Sequence, residues 1–374
     1  MAGHFALAKL TWKGAKVNVY RLAVIGLNHY HVTGWVESLG AWTDRIEIVA
    51  LYDADPELGV RLAPSHHDPV LAAKLPDSFR DLPFYTDLDQ LIAEVKPDLA
   101  LVTLQNIDMP SAIVKLANAG VHLIVDKPGG RTAAEARPAL DAIARNGVKV
   151  TVGLNRRNGH AWQDTRRMIE SGRIGRLMTS EAIFTTSSVK VRDPRNPIFD
   201  PITAGGGILH WLGVHDLDLL LWLSGEPIVE LHAMTGTLSG EPIEVEDVIS
   251  MSVKYASGAI GSMHYAYALP RAGANDGYVA FRGTGGSIKI QSNGTVTWFG
   301  PGNRDEPHAT ETTTYELGKS PGYGPLAQAG IRDLLESIEQ HRQPLANYSQ
   351  LVSVLEVIDA AYASAKSGQR VRVG

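Results

Sequence analysis

Cysteine is absent from all 374 residues, which excludes disulfides, thiol nucleophiles and thiolate metal sites. An excess of either charge is also missing. The 35 Lys and Arg face 40 Asp and Glu, and a formal net charge of -5 gives no field to draw a nucleic acid or a membrane surface. No apolar run reaches the roughly 18 residues that a spanning helix needs. Internal repeats and low-complexity segments are lacking. The leader Met1 to Lys13 has an apolar stretch too short for a signal peptide and no small-residue cleavage site after it. A cytoplasmic protein with a short N-terminal extension over residues 1–17 is expected.

What is present is an ordinary soluble balance, 44% hydrophobic and 20% charged, on a chain long enough for two domains. From residue 18 to 150 short apolar runs alternate with helical patterns, the grammar of a parallel sheet covered on both faces. Strands are expected over Tyr20 to Ile25, Ile46 to Tyr52, Leu99 to Thr103, Val121 to Val125 and Lys149 to Val152. Helical periodicity covers Val32 to Leu39, Leu88 to Glu94, Ser111 to Ala119 and Ala133 to Ala144. Beyond residue 150 the runs Met178 to Thr185, Val248 to Tyr255, Gly258 to Tyr267, Gly277 to Arg282, Gly286 to Gln291 and Gly294 to Phe299 are separated by turn residues. Asn293-Gly294 between two of them signals a hairpin. Helices are expected over Ile208 to Leu223, Leu326 to His341 and Tyr348 to Ser367. The fold class is therefore α/β: an N-terminal Rossmann dinucleotide-binding domain over 18–150, then an α+β domain over 151–374 with a largely antiparallel open sheet. The uncovered face of that sheet predicts a homodimer or homotetramer.

The first strand ends at Gly26, and Gly26-Leu-Asn28-His29-Tyr-His31 stands where a Gly-x-Gly-x-x-Gly phosphate loop would be. Only the first glycine is kept, to make the turn that aims a helix N-terminus at a pyrophosphate. Asn28 tolerates left-handed backbone and substitutes for the second glycine. His31 in the third place would loosen helix packing or touch the cofactor. The second strand ends in Asp53, placed to accept the ribose hydroxyls, although it is equally placed to cap a helix ahead of Pro56. A carboxylate there repels a 2'-phosphate, and its neighbour is Ala54 rather than an arginine, so NAD is favoured over NADP. Thr103, at the end of a central strand, joins this cofactor set.

A further strand ends Asp126-Lys127-Pro128 beside the switch region where open α/β sheets gather ligands. Lys127 can hydrogen-bond a reacting oxygen and stabilise its developing charge, whereas Asp126 and Pro128 orient the chain or the cofactor ribose. In the helix after Gly205-Gly-Gly207, Trp211, His215 and Asp218 fall on one face at i, i+4 and i+7. His215 suits a general base, although a helical histidine is commonly structural. His29-x-His31, and His210 with His215, lack an acidic third ligand at helix or strand spacing, so no metal site is expected.

At these residues the chain resembles the glucose-fructose oxidoreductase, inositol dehydrogenase and rhizopine-catabolism (Gfo/Idh/MocA) family. The order is shared along nearly the whole chain: glycine turn, acid after the second strand, Asp126-Lys127-Pro128 for the family's Glu-Lys-Pro, and Gly153-Leu-Asn-Arg-Arg157. The triple-glycine helix with Gly213-x-His215-x-x-Asp218 follows, then Phe281-Arg-Gly283-Thr-Gly-Gly286. The resemblance implies a nicotinamide-dependent oxidoreductase of sugars, cyclitols or related metabolites, with Lys127 and His215 in the active site. Two departures stand out. The family commonly has an aspartate four residues before the histidine, where this chain has Trp211, free to stack on a sugar face or to close the pocket. The second departure is the histidine-rich turn itself.

The loop Ser187 to Asn196 is long enough to overhang the pocket, and Lys190 and Arg192, with Arg156 or Arg157, would hold an anionic group on a sugar derivative. A solvated basic loop is the plain alternative. Three functions stay open: an NAD-dependent sugar dehydrogenase, a redox glycosidase acting on an anionic sugar such as a sulfonated glycoside, and a catalytically silent NAD- and sugar-binding sensor.

Overall fold

The computed structural model describes residues 18–29, 31–58, 75–192, 194–267, 275–302, 309–316 and 323–374. The expected N-terminal extension lies outside them. Two sheets organise the chain. The first has six parallel strands in the order β3-β2-β1-β4-β5-β6, built from β1 (Tyr20–Ile25), β2 (Ile46–Tyr52), β3 (Phe84–Tyr85), β4 (Leu99–Val102), β5 (His122–Val125) and β6 (Val150–Val152). Every residue of β4 and the last four of β1 are buried, which is why these segments read as unbroken apolar runs rather than as alternation. The helices α1 (His31–Leu39), α2 (Leu88–Val95), α3 (Met109–Asn118) and α4 (Ala133–Asn146) connect the strands.

After α5 (His160–Glu170), strand β7 (Leu177–Thr186) begins a nine-stranded sheet, and α6 (Val214–Ser224) precedes the rest of it. The strands are β8 (Ile228–Gly236), β9 (Val248–Tyr255), β10 (Ile260–Ala266), β11 (Asn275–Gly283), β12 (Ser287–Gln291), β13 (Thr295–Phe299), β14 (Thr310–Thr314) and β15 (Val371–Arg372), in the order β14-β13-β12-β11-β7-β10-β9-β8-β15. Only β7 and β10 run parallel; the other pairs are antiparallel. In β9, Ile249, Met251, Val253 and Tyr255 are buried while Ser250, Ser252 and Lys254 are exposed, so one face packs inward and the other is open. Met178, Met234 and Ile260 stand on the exposed surface of this sheet.

The last two helices, α7 (Gly324–Glu339) and α8 (Tyr348–Ser367), lead the chain back across the molecule. Ala327, Ile331, Leu334 and Leu335 of α7 share a core with Leu22, Trp35 and Leu101 of the first half. Between the two helices, the Ala346 carbonyl accepts from the β6 Val152 N–H at 2.9 Å. Helix α8 opens with a capping box, Asn347 and Gln350, and ends at Gly368 in left-handed conformation. Among the described residues no helix is long and apolar enough to cross a membrane.

Candidate active site

The C-terminal ends of β1, β2 and β4 make the cofactor end of the site. Gly26 turns at φ +95°, and a Cβ there would meet the Leu104 nitrogen and the Thr103 carbonyl carbon at 2.8 Å, so no other residue fits. Thr103 Oγ1 donates to the Gly26 carbonyl at 2.7 Å. Asp53 accepts from the Leu27 N–H at 2.8 Å and from the Asp55 N–H at 3.1 Å, tying the second strand to the glycine turn. Over these residues opens a cavity of about 570 Å³ whose lining includes Gly26, Asn28, His29, Asp53 and Thr103. Its lining also carries Asp55, Asp87, Asp89 and Asp108 against one lysine, Lys115, which is itself paired with Asp89. That acidic rim would repel a 2'-phosphate and leaves the Asp53 carboxylate to meet ribose hydroxyls, so the residues fit NAD.

Lys127 follows β5 and precedes a cis peptide to Pro128. It is 3% exposed. Its ammonium donates to the Trp211 carbonyl at 2.8 Å and lies 4.8 Å from the centre of the Trp211 ring. Burial draws its pKa down to about 8, against the pull of Asp126. From the other half of the chain comes His215, in the first turn of α6. Its Nδ1 is buried with no hydrogen-bond partner. Burial, then the charges of Lys127 and Arg156, hold its pKa well below the ordinary imidazole value, so at neutral pH the ring is uncharged. Lys127 and His215 thus share one electrostatic site.

Trp211 departs from its expected role. The five residues Leu209–Gly213 form a π-helical turn before α6, so the angular spacing of a regular helix does not apply there. Trp211 is 1% exposed, its indole N–H donates to the Ile198 carbonyl at 2.8 Å, and its ring stacks on His29 with centres 5.7 Å apart. No face is left for a sugar to stack on. Trp211 is packed instead between His29 and Lys127.

The four cations expected to hold an anionic group also divide. Arg157 is withdrawn into the core, where its guanidinium grips Asp218 with Nε at 2.9 and 3.1 Å from the two carboxylate oxygens. Lys190 turns outward to Glu241 at 3.0 Å. Neither reaches a substrate in this arrangement, because each has met a carboxylate distant in sequence. Arg156 pairs with Asp216 yet keeps a third of its surface exposed, and its field reaches both Lys127 and His215. Arg192 also lies within the field of Lys127.

The histidine turn converges on Asp126. His31 Nδ1 stands 2.5 Å from Asp126 Oδ2, His29 Nδ1 stands 3.8 Å from the same oxygen, and Trp35 Nε1 donates to Asp126 Oδ1 at 3.2 Å. Burial alone would raise the Asp126 pKa, but His31, His29 and Lys127 hold it below the usual carboxylate range. Burial, with the field of His31, drives the His29 imidazole down to about 3. The third acidic partner that sequence spacing did not offer to His29 and His31 is therefore supplied by the fold.

Two supports carried no sequence signal. Glu246 accepts from the Gly207 and Leu209 N–H groups at 2.6 and 3.0 Å and from the Tyr362 hydroxyl at 2.8 Å. His210 joins Tyr362 to the Arg131 carbonyl, at 3.2 and 2.8 Å. Together they fasten the start of the His215 helix to α8. A Cβ on Gly207 would meet the Glu246 carbonyl oxygen at 1.9 Å, which explains the glycine run. The second support is Trp35, four residues after His31 on α1.

Models of one family match both halves of the chain: an oxidoreductase family with an NAD-binding Rossmann fold over residues 20–154, and the GFO/IDH/MocA C-terminal domain over residues 162–289. The chain belongs to the Gfo/Idh/MocA family. As a Gfo/Idh/MocA protein it is an NAD-binding oxidoreductase by family. An uncharacterised oxidoreductase of Schizosaccharomyces pombe is 24% identical over 340 residues, 81% of this chain and 89% of that protein. The levoglucosan dehydrogenase of Pseudarthrobacter phenanthrenivorans is 28% identical over 261 residues, 62% of this chain and 65% of its own length, just under two thirds. A solved levoglucosan dehydrogenase in complex with NADH and levoglucosan superposes with a TM-score of 0.78 at 20% identity, covering 96% of this chain and all of that one, a likeness of fold.

Proposed function

We propose that this chain transfers hydride reversibly between NAD and a secondary alcohol carbon of a sugar, a cyclitol or a sugar derivative. The reading is supported by Lys127, at a strand end of the first half, reaching the carbonyl of Trp211 four residues before His215 and lying within the electrostatic field of that histidine. Relatives named for levoglucosan and inositol support the substrate class. Bound NAD supplies the hydride acceptor. Lys127 exchanges its bond to the Trp211 carbonyl for one to the reacting oxygen, stabilising the negative charge that grows there. His215 takes the hydroxyl proton on oxidation and returns it on reduction.

The pH dependence follows from the two groups. His215 is neutral well below pH 6.5, so the base is ready across neutrality. Lys127 loses its proton as the pH rises through about 8, and with it the hydrogen bond to the reacting oxygen. For alcohol oxidation kcat/KM is therefore expected to be flat near neutrality and to fall above about pH 8, with the fall moved to higher pH in Lys127→Arg. Initial rates of NADH formation over a panel of neutral and acidic sugars test this. A rate still climbing well above that pH would remove the lysine from its role. Product forming without net NADH would favour the redox glycosidase, in which the NADH formed is re-oxidised within each turnover as it returns its hydride to the sugar carbonyl.

Self-association belongs on the open face of the second sheet, where Met178, Met234 and Ile260 are exposed. Size-exclusion chromatography with light scattering is expected to show a dimer or tetramer, and a monomer at micromolar concentration would remove the interface.

A further inference from the structure

We propose that His29, His31 and Asp126 form a binding site for a divalent first-row transition ion, with zinc the best match, at the inner end of the cofactor cavity. The hydride-transfer reading gives these residues no chemical step, although His29 lines the cofactor cavity. Two of them replace a phosphate loop, and the third stands 95 residues from His31 in sequence yet touches it. Among the described residues they are the one cluster of histidine and acid side chains in which one ligand atom from each lies within 4.8 Å of the others.

Two of the three ligand spacings are close to what an ion requires, and the third, within 4.8 Å, would close by at most about 1.5 Å. Ligand atoms around a tetrahedral zinc stand about 3.3 Å apart, from metal–ligand bonds of about 2.0 to 2.2 Å. The His31 to Asp126 contact at 2.5 Å would open by less than about 1 Å, and the His29 to Asp126 contact at 3.8 Å would close by about half as much. The surroundings hold the ligands in place. His29 and Asp126 are 3% and 1% exposed. The Trp35 N–H on the second Asp126 oxygen is the kind of outer hydrogen bond that orients a ligating carboxylate. His29 is stacked on Trp211, and His31 meets the Tyr323 ring edge-on at 5.3 Å.

The donor set then selects the ion. Two imidazoles and one carboxylate suit zinc, iron or manganese, whereas magnesium and calcium prefer oxygen ligands throughout. Three protein ligands leave at least one coordination position open, as in sites where an ion meets water or substrate. That position would lie near Lys127, the neighbour of Asp126, where a substrate oxygen is expected. The charges of Lys127 and Arg192 reach both histidines and oppose a cation, so micromolar affinity is expected rather than the much tighter grip of a structural zinc.

The test uses the full-length protein, stripped with a chelator and dialysed against zinc or cobalt(II). Elemental analysis is expected to find about one ion per chain, and cobalt to give the d–d absorption of a low-symmetry nitrogen–oxygen site. His29→Ala, His31→Ala and Asp126→Asn should each weaken binding at least about tenfold, and Trp35→Phe about tenfold through the outer hydrogen bond alone. A His232→Ala/His264→Ala variant, which removes two histidines on strands β8 and β10 of the second sheet, should bind as the unaltered chain does. Circular dichroism checks that each variant is folded. The proposal is overturned by no bound ion at micromolar zinc or cobalt, or by equal binding in a folded His29→Ala/His31→Ala protein. Binding is read without turnover, so failure here leaves the oxidoreductase reading standing.

Discussion

Lys127→Ala will lower kcat by about 100- to 1,000-fold while leaving NADH binding in place. The magnitude is that of removing one donor from a developing oxyanion, and a thousandfold corresponds to about 4 kcal/mol of transition-state stabilisation. The cofactor should still bind because Lys127 does not line the cavity over Gly26 and Asp53. Since Lys127 is buried beneath Trp211, alanine also opens a space, and Lys127→Met serves as the companion that keeps the volume while removing the charge. Both variants should lose rate, and NADH fluorescence titration should show affinity within a few-fold of the unaltered chain. If Lys127→Met turns over sugars at a near-normal rate, the ammonium has no part in the chemistry.

Arg157→Ala will cost stability rather than substrate affinity, by about 3 to 5 kcal/mol, the range for removing one partner of a buried ion pair. The guanidinium and the Asp218 carboxylate are 3% and 1% exposed, and Arg157 also donates to the Leu345 carbonyl at 3.2 Å. Burial pushes the Asp218 pKa up and Arg157 is what draws it back, so the lone aspartate would take up a proton or let water in. Urea unfolding of Arg157→Ala against Arg157→Met/Asp218→Leu separates the penalty of an orphaned charge from the worth of the pair. The double variant is expected to recover most of the loss. A raised KM with unchanged unfolding would return Arg157 to the substrate site.

Where apolar pattern and turn chemistry agreed, the sequence was read to the residue. Strands β1 and β9 and helix α8 span the segments that periodicity outlined, and Asn293-Gly294 joins β12 to β13 as a hairpin. The missed elements lack that agreement. Helix α5 has a short apolar stripe, Ala161, Trp162, Met168 and Ile169, set among seven polar residues and only partly buried. In β8 a register shift between Ile228 and Glu230 breaks the two-residue alternation. Edge strand β14 is exposed throughout. The placement of Lys127 and Asp53 just past strand ends and of His215 at a helix start was legible, because apolar runs and turn residues mark those boundaries. The fates of Arg157, Lys190 and Asp126 were not, since each was decided by a partner between 51 and 95 residues away. The π-turn hid the setting of Trp211 as well, because a single widened turn shifts every side chain after it.

The return of α7 to the first sheet limits how this protein can move. A polypeptide that crosses between two lobes once leaves a single pivot, and such proteins open like a jaw around their ligands. Here the tail crosses back, seats Ile331 and Leu334 beside Trp35, and clips its connecting segment to the edge strand at Val152. Trp35 is the same residue that steadies Asp126. Opening of the cofactor cavity is thereby expected to proceed by sliding of packed helices and rearrangement of surface loops rather than by a single-hinge swing.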